Sequence, residues 1–234
     1  MPKKSATPPA NVASSRPLLN SVYSVKIPAK RVLLMCLADL NKRKESDKDC
    51  PIFVITAAAY RELYGVPESN ACREVARGVK ELHDTSVFFP RLDGDYKYRE
   101  VKWLHAIDHT DRGTVNAAHR ITIHPDVMPY LRSLESGFAK FDLKDVKGLS
   151  STNQVRLYED LTLNKDSAGK SWVTSIDDIA ERYKLTPSLI ASAANFKRKF
   201  LDSAVAAINE STPLNITYIA NGRNLKFFIE ERCR

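Results

Sequence analysis

Thr56-Ala-Ala-Ala-Tyr-Arg-Glu-Leu-Tyr-Gly65-Val-Pro-Glu-Ser-Asn70 joins a hydroxyl residue suited to cap a helix, a short helix-forming run, and a turn at Gly65-Val66-Pro67. A second helix is expected from about Ser69 to His83, and helix, tight glycine turn, helix is the helix-turn-helix pattern. In that second helix Cys72, Val75, Val79 and Leu82 share one stripe, leaving Asn70, Arg73, Arg77 and Lys80 on the other side. Arg73 and Arg77 point together. Two readings of the pair stand open here: ion pairing with Glu74 or Glu81 on a solvated face, and contact with a polyanion.

Upstream, Lys26 to Leu40 opens with Pro28 at a first helical position and is apolar nearly all round, which predicts a central buried helix. The charged run Asn41 to Asp49 makes a loop, and Ile52 to Ile55 a short strand. Residues 1–17, with Pro2, Pro8, Pro9 and Pro17 among Ser, Ala and Lys, are expected to be a flexible basic tail. Downstream the period changes. Val87 to Phe89, Tyr96 to Ile107 and Arg120 to Ile123 are expected strands, with turns at Asp93-Gly94-Asp95 and Asp111-Arg112-Gly113. A hairpin directly after a helix-turn-helix is expected to be a wing. A helix over Val127 to Ser136 and the segment Phe138 to Leu143 lead to a domain boundary at Lys147-Gly148.

The order then repeats. A helix over Asn153 to Leu161 and a polar loop are followed by a short strand at Trp172-Val173. Ser175-Ile-Asp-Asp178 resembles a capping box before a helix ending near Tyr183. Ala193 to Asn209 is next, with Phe196, Phe200, Leu201, Ala204, Ala207 and Ile208 on one stripe and Asn195, Arg198, Lys199 and Asp202 opposite. Leu214 to Ala220 and Leu225 to Ile229 form a hairpin around Asn221-Gly222-Arg223-Asn224. Thr56, Glu62, Tyr64 and Val66 are matched by Ser175, Glu181, Tyr183 and Leu185, and the matching order of elements around them points to an internal repeat. The expected fold class is α+β: two winged-helix domains in tandem, an N-terminal one over 18–147 and a C-terminal one over 148–234.

The chain has 234 residues, 43% apolar content and a formal charge of +8, enough to bury a core and suited to a polyanionic partner. Cys36, Cys50, Cys72 and Cys233 are scattered without a C-x-x-C, as in the reduced thiols of a cytosolic protein. No run approaches the ~18 apolar residues of a membrane span, and the expectation is a soluble, intracellular protein with no membrane partner.

Enzyme chemistry finds little support. There is no G-x-x-x-x-G-K-[ST] loop, so no nucleotide cofactor is expected. His105 and His109 lie in a strand-like stretch, where four-residue spacing does not gather metal ligands, and Asp108 and Asp111 are turn residues. No His-hydrophobic-His pair accompanies the tyrosines, which disfavours a rolling-circle nicking enzyme. Neither catalytic residues nor a metal site are expected.

Arginine can bond guanine and asparagine adenine through two hydrogen bonds each, so Asn70, Arg73, Arg77, Asn195 and Arg198 are the base-reading candidates. Lys197 lies near the apolar side of an ideal helix, which suits a phosphate contact better than a base contact. Lys80, Lys199, Arg223 and Lys226 are further phosphate candidates, whereas Lys30 and Arg31 are assigned to the fold or an interface.

Three stretches in order, Lys26-Ile-Pro-Ala-Lys-Arg-Val-Leu33, Arg156-Leu-Tyr-Glu-Asp-Leu161 and Asn195-Phe-Lys-Arg-Lys-Phe-Leu201 with Ala207 to Pro213, resemble the iteron-binding plasmid replication initiators. The resemblance spans about residues 18 to 231. It implies pseudo-twofold similarity between the domains, with the C-terminal domain the main iteron binder and the N-terminal one contributing DNA binding and dimerisation. It further implies binding to direct repeats of double-stranded origin DNA as a monomer, opening of adjacent A·T-rich DNA, and recruitment of a host initiator and replicative helicase. A homodimer on an operator would repress the protein's own gene, in a bacterial cytoplasm. A stand-alone winged-helix repressor is the alternative. The chain departs from one member of the family at Ile190-Ala191-Ser192, where that member has a further arginine, and in carrying lysines for two arginines of its basic run. Lysine does not reproduce the bidentate arginine fork.

Overall fold

The computed structural model describes residues 11–91, 95–109, 118–132 and 137–232. The first half runs β1 (Asn11–Ser15), α1 (Arg16–Leu19), α2 (Ile27–Lys42), β2 (Ile52–Thr56), α3 (Ala57–Tyr64), α4 (Glu68–Asp84), β3 (Ser86–Pro90), β4 (Tyr98–Lys102), β5 (Leu104–His109), β6 (Ala118–Ile123), α5 (Met128–Arg132) and β7 (Phe138–Asp142). The second runs α6 (Thr152–Asn164), β8 (Ser171–Ser175), α7 (Ile176–Tyr183), α8 (Pro187–Ile190), α9 (Ala193–Phe196), a π-helical turn (Lys197–Leu201), α10 (Asp202–Ser211), β9 (Leu214–Asn221) and β10 (Asn224–Glu231).

The two halves share one topology. Strand order is β2-β6-β5 in the first sheet and β8-β10-β9 in the second, so in each the lone early strand pairs with the last strand of the later hairpin. Each unit is thus a helix (α2 or α6), a strand, the helix-turn-helix and a two-stranded wing. The wing of the first unit is β5–β6, not the hairpin that directly follows α4. That hairpin, β3–β4, forms its own two-stranded sheet, joined to the rest by a single bridge from Phe88 to Val22, and is inserted between the second helix and the wing. Its polar turn reads like any wing in sequence, because hairpin signals do not encode which sheet the strands join.

Local chemistry sets both helix-turn-helix units. The Thr56 Oγ1 accepts the Ala59 N–H at 3.1 Å, and Gly65 at φ 64° closes α3 with its N–H on the Arg61 carbonyl. In the second unit Ser175 caps α7, and Lys184 takes the same left-handed conformation at φ 51°. The capping box expected at Ser175 is one-sided: Asp178 turns its carboxylate to Thr174 and Arg182. A reciprocal box occurs at Ser151 and Gln154, at the start of α6.

Residues 11–17 are not part of a flexible tail. Although polar, Asn11–Ser15 finds backbone partners along β7, burying Val12, Ser14 and Ser15, and Ser15 caps α1. The strand expected over Tyr96 to Ile107 breaks at Trp103, which is wholly buried where the chain leaves β3 to pair with β6. Asp108 is a strand residue paired with Arg120 at 2.7 Å, and the turn at Asp111-Arg112-Gly113 lies outside the described residues. The helix expected from Val127 begins at Met128 and is described as far as Arg132, and Ser133 to Ser136 lie outside the described residues.

Buried apolar residues of both halves form one continuous core, with α2 and α4 packed against each other in the first half and α6 against α10 in the second. A polar seam crosses between the halves. The Arg156 guanidinium on α6, fully buried, donates to the carbonyls of Tyr23, Ser21 and Arg182 at 2.6–2.8 Å and lies over the Tyr23 and Tyr183 rings. Arg182 of α7 pairs with Asp160 at 2.8 Å, and the Tyr183 hydroxyl donates to the same carboxylate. Burial opposes the Arg182 charge, but Asp160, Tyr183 and Asp178 outweigh it and hold the guanidinium protonated. Lys30, assigned from sequence to the fold or an interface, is in this seam, bonded to Glu159 and Tyr23.

Candidate nucleic-acid interface

In α4 the residues Ala71, Val75, Gly78, Val79 and Leu82 are buried, whereas Cys72 is only half-buried. Gly78 permits an intimate crossing: a Cβ there would lie 2.7 Å from the Pro28 carbonyl oxygen of α2. The opposite face presents Arg73 and Arg77, both exposed, with Asn70 at its edge. The acidic neighbours are used elsewhere. Glu74 takes Arg31 at 3.4 Å and the Tyr60 hydroxyl at 2.8 Å, and Glu81 accepts the Lys26 N–H. Neither Arg73 nor Arg77 makes an ion pair among the described residues, so the solvated ion-pair reading of these two arginines does not apply. Arg73 instead donates to the Asn70 Oδ1 at 2.6 Å. Lys80 is bonded to Asp84 at 2.7 Å, which holds that carboxyl below its usual range.

The second helix of the other unit is not a regular α-helix. Residues 193–211 form one rod, but Lys197–Leu201 close a π turn. A π turn takes in one extra residue, which lets Phe200 and Leu201 both enter the core while Lys197, Arg198 and Lys199 are all exposed. The ideal-helix angle that put Lys197 near the apolar side therefore fails here. Its ammonium lies 5.8 Å from the centre of the Tyr218 ring on the wing strand β9. Tyr218 escaped the sequence reading: it is on the inward-facing parity of β9, with Leu214 and Ile216, but is only half-buried and packs beside Phe227. Its hydroxyl donates to Asp202 at 2.5 Å, which ties the wing to the helix, and burial with that bond raises its pKa. Asn195 is half-buried, and Arg198 donates to its Oδ1 at 3.4 Å.

The two wing cations differ. Lys226 is exposed on β10, over the Phe228 ring. Arg223 in the turn is held by both oxygens of Asp177 and also donates to the Ile190 carbonyl. That bond lowers the Asp177 pKa and raises that of Arg223. Its guanidinium braces the wing tip against the start of α7.

The inserted hairpin reaches the second unit. Lys97 and the Tyr98 hydroxyl both bond Glu181 of α7, at 2.5 and 2.6 Å, and the Lys184 ammonium sits 3.8 Å from the Phe88 ring centre. These links escaped the sequence reading, because no pattern along the chain joins positions so far apart.

Two family models match the chain in the same order as its two units. The model described as "Initiator Replication protein, WH1" covers residues 11–162, and "Initiator Rep protein, WH2" covers residues 175–229. The chain belongs to this replication initiator family. A curated relative from Escherichia coli, an "Uncharacterized 27.6 kDa protein", is 30% identical over 217 residues, 88% of each chain. Among solved structures, the Pi initiator protein in complex with iteron DNA superposes with a TM-score of 0.71 at 21% identity, over 97% of this chain and 100% of that one. At that identity the match speaks for the tandem winged-helix fold. The start of the WH1 match at residue 11 coincides with β1. No helix among the described residues is long and apolar enough to cross a membrane.

Proposed function

We propose that this initiator-family protein binds direct-repeat iterons at a plasmid origin, with α4 and the 193–211 rod each laid in a major groove. The observation that carries this is the repetition itself. Two winged-helix units of one topology each turn an asparagine- and arginine-bearing helix face to solvent, in a chain of net charge +8. Arg73, Arg77 and Arg198 supply guanidinium forks for guanine, and Lys197, Lys199 and Lys226 supply charge for phosphates. Binding in this way promotes opening of adjacent DNA and recruits the host replication machinery without a nucleotide of its own. A homodimer, joined through the N-terminal unit, represses the initiator gene. The domain division at residues 147–148 remains part of the proposal, and α6 packs against both halves.

The test is plasmid maintenance combined with footprinting. The gene with its flanking DNA should support replication of a plasmid lacking any other origin, and the protein should protect two major-groove segments about 10 to 10.5 base pairs apart. Operator binding without plasmid maintenance would make the protein a stand-alone repressor. Protection of a single groove would remove one of the two helices from the interface.

A further inference from the structure

The buried registers of the two helices align residue for residue once the π turn is counted. Ala71 of α4 corresponds to Phe196, and Val75 to the pair Phe200 and Leu201 that the extra residue creates. Gly78, Val79 and Leu82 then correspond to Ala204, Val205 and Ile208. Every one of these positions is buried. The alignment uses only core packing, yet on the solvent side it places Asn70 on Asn195 and Arg73 on Arg198. In each helix the arginine Nη2 donates to the asparagine Oδ1 one turn earlier, at 2.6 Å in the first and more loosely at 3.4 Å in the second. Each asparagine is half-buried and each arginine exposed. The π turn begins after Asn195, so the extra residue is absorbed where it keeps the second pair on the outer face.

We propose that Asn70–Arg73 and Asn195–Arg198 are one reading unit present twice, so that the DNA site carries the same base preference, guanine, at two positions, one under each helix. This rests on the assignment of both helices to the major groove. Within each unit the arginine meets the base, its fork matching guanine O6 and N7, and the asparagine is a positioning residue that holds the guanidinium through one hydrogen of Nη2. Such a bond orders a long, rotamer-rich side chain before DNA arrives, which lowers the entropic cost of binding. Beyond the shared pair the helices diverge. The Arg77 position corresponds to Ser203, whereas Lys197 and Lys199 match Cys72 and Glu74. The two half-sites are therefore alike at one base pair and different beside it.

Selection of bound duplexes from a randomised library by the full chain, followed by sequencing, tests this. Two guanine-preferring positions are expected, about one helical turn apart. Arg73→Ala should flatten the preference at one and Arg198→Ala at the other, each weakening binding to the selected duplex about tenfold or more. Arg73→Lys should flatten the same position while leaving the salt dependence unchanged. Asn70→Ala should relax the position that Arg73→Ala flattens, and the double variant should lose no more than Arg73→Ala alone. Asn195 and Arg198 should behave likewise, with thermal melting showing that every variant is folded. Different preferred bases under the two arginines, or double variants whose losses multiply, would overturn the shared unit while leaving both helices in the grooves. Variants that change only the salt slope, with every base preference intact, would remove the helices from base reading altogether.

Discussion

The ammonium of Lys30 on α2 lies 2.7 Å from the carboxylate of Glu159 on α6, and neither side chain is exposed to solvent. The pair joins the leading helices of the two winged-helix units, and its remaining bonds are also internal. Lys30 donates to the Tyr23 hydroxyl, and the Ser14 hydroxyl donates to Glu159. Removing one charge from such a pair strands the other, at a cost of about 3–5 kcal/mol, whereas removing both can be nearly neutral. Lys30→Met should therefore lower stability by about that amount, and Lys30→Met with Glu159→Leu should recover most of it. Denaturant titration of the three proteins measures this. Equal losses in the single and double variants would mean that cavity and packing terms dominate.

The same pair sets a limit at high pH. Burial works against the Lys30 charge, but Glu159 and Tyr23 outweigh it, so the folded pKa stands above the unfolded 10.5. A lysine with a raised folded pKa contributes its full stabilisation below the unfolded value and loses it as pH climbs through the folded one. Thermal stability should therefore fall above about pH 10.5 more steeply in the wild type than in the double variant, which has no such proton to lose. Parallel curves would show that other groups govern the alkaline transition.

Gly78 fixes how closely α4 approaches α2. A Cβ there would sit 2.7 and 2.8 Å from the Pro28 carbonyl oxygen and carbon, and backbone has no flexible end to move aside. Gly78→Ala should gain helix propensity in principle yet lose about 1–3 kcal/mol net through overpacking. Gly78→Val should lose more. A gain of stability in Gly78→Ala, read by thermal melting, would show that the helices separate easily.

Much of the fold was legible where one short stretch contains its own cause. Thr56 with Gly65, and Asn221 with Gly222, announce a capped helix and a tight hairpin from neighbours along the chain. What stayed hidden depends on distant partners. Asn11–Ser15 is a strand only because β7 offers it an edge, and the strand after Tyr96 breaks because Trp103 goes to the core. The candidate readers Asn70, Arg73, Arg77, Asn195 and Arg198 follow from helical periodicity, and all lie on accessible faces. The π turn does not follow, since periodicity assumes a constant twist, and Phe200 next to Leu201 in one apolar stripe is its only trace. Arg223 looked like a free phosphate ligand because its acceptor, Asp177, lies far away in sequence.

That bond supplies a test of the wing. Arg223 and Asp177 are both substantially exposed, so their pairing contributes little to stability and competes directly with any phosphate that approaches. Asp177→Asn removes the competing charge and keeps the side chain's size. It also takes an acidic group from the first turn of α7, which should cost no more than about 1 kcal/mol. If the wing tip lies against the backbone, the freed guanidinium adds one phosphate contact, and the slope of log affinity against log salt should steepen by about 0.9. Affinity at low salt should rise, with base preference unchanged, since phosphate contacts carry no sequence information. Arg223→Ala in the same background should return the slope to its original value. A slope that Asp177→Asn leaves unchanged would place the wing tip away from the phosphates and reduce Arg223 to its structural role of bracing the turn against α7 and the Ile190 carbonyl.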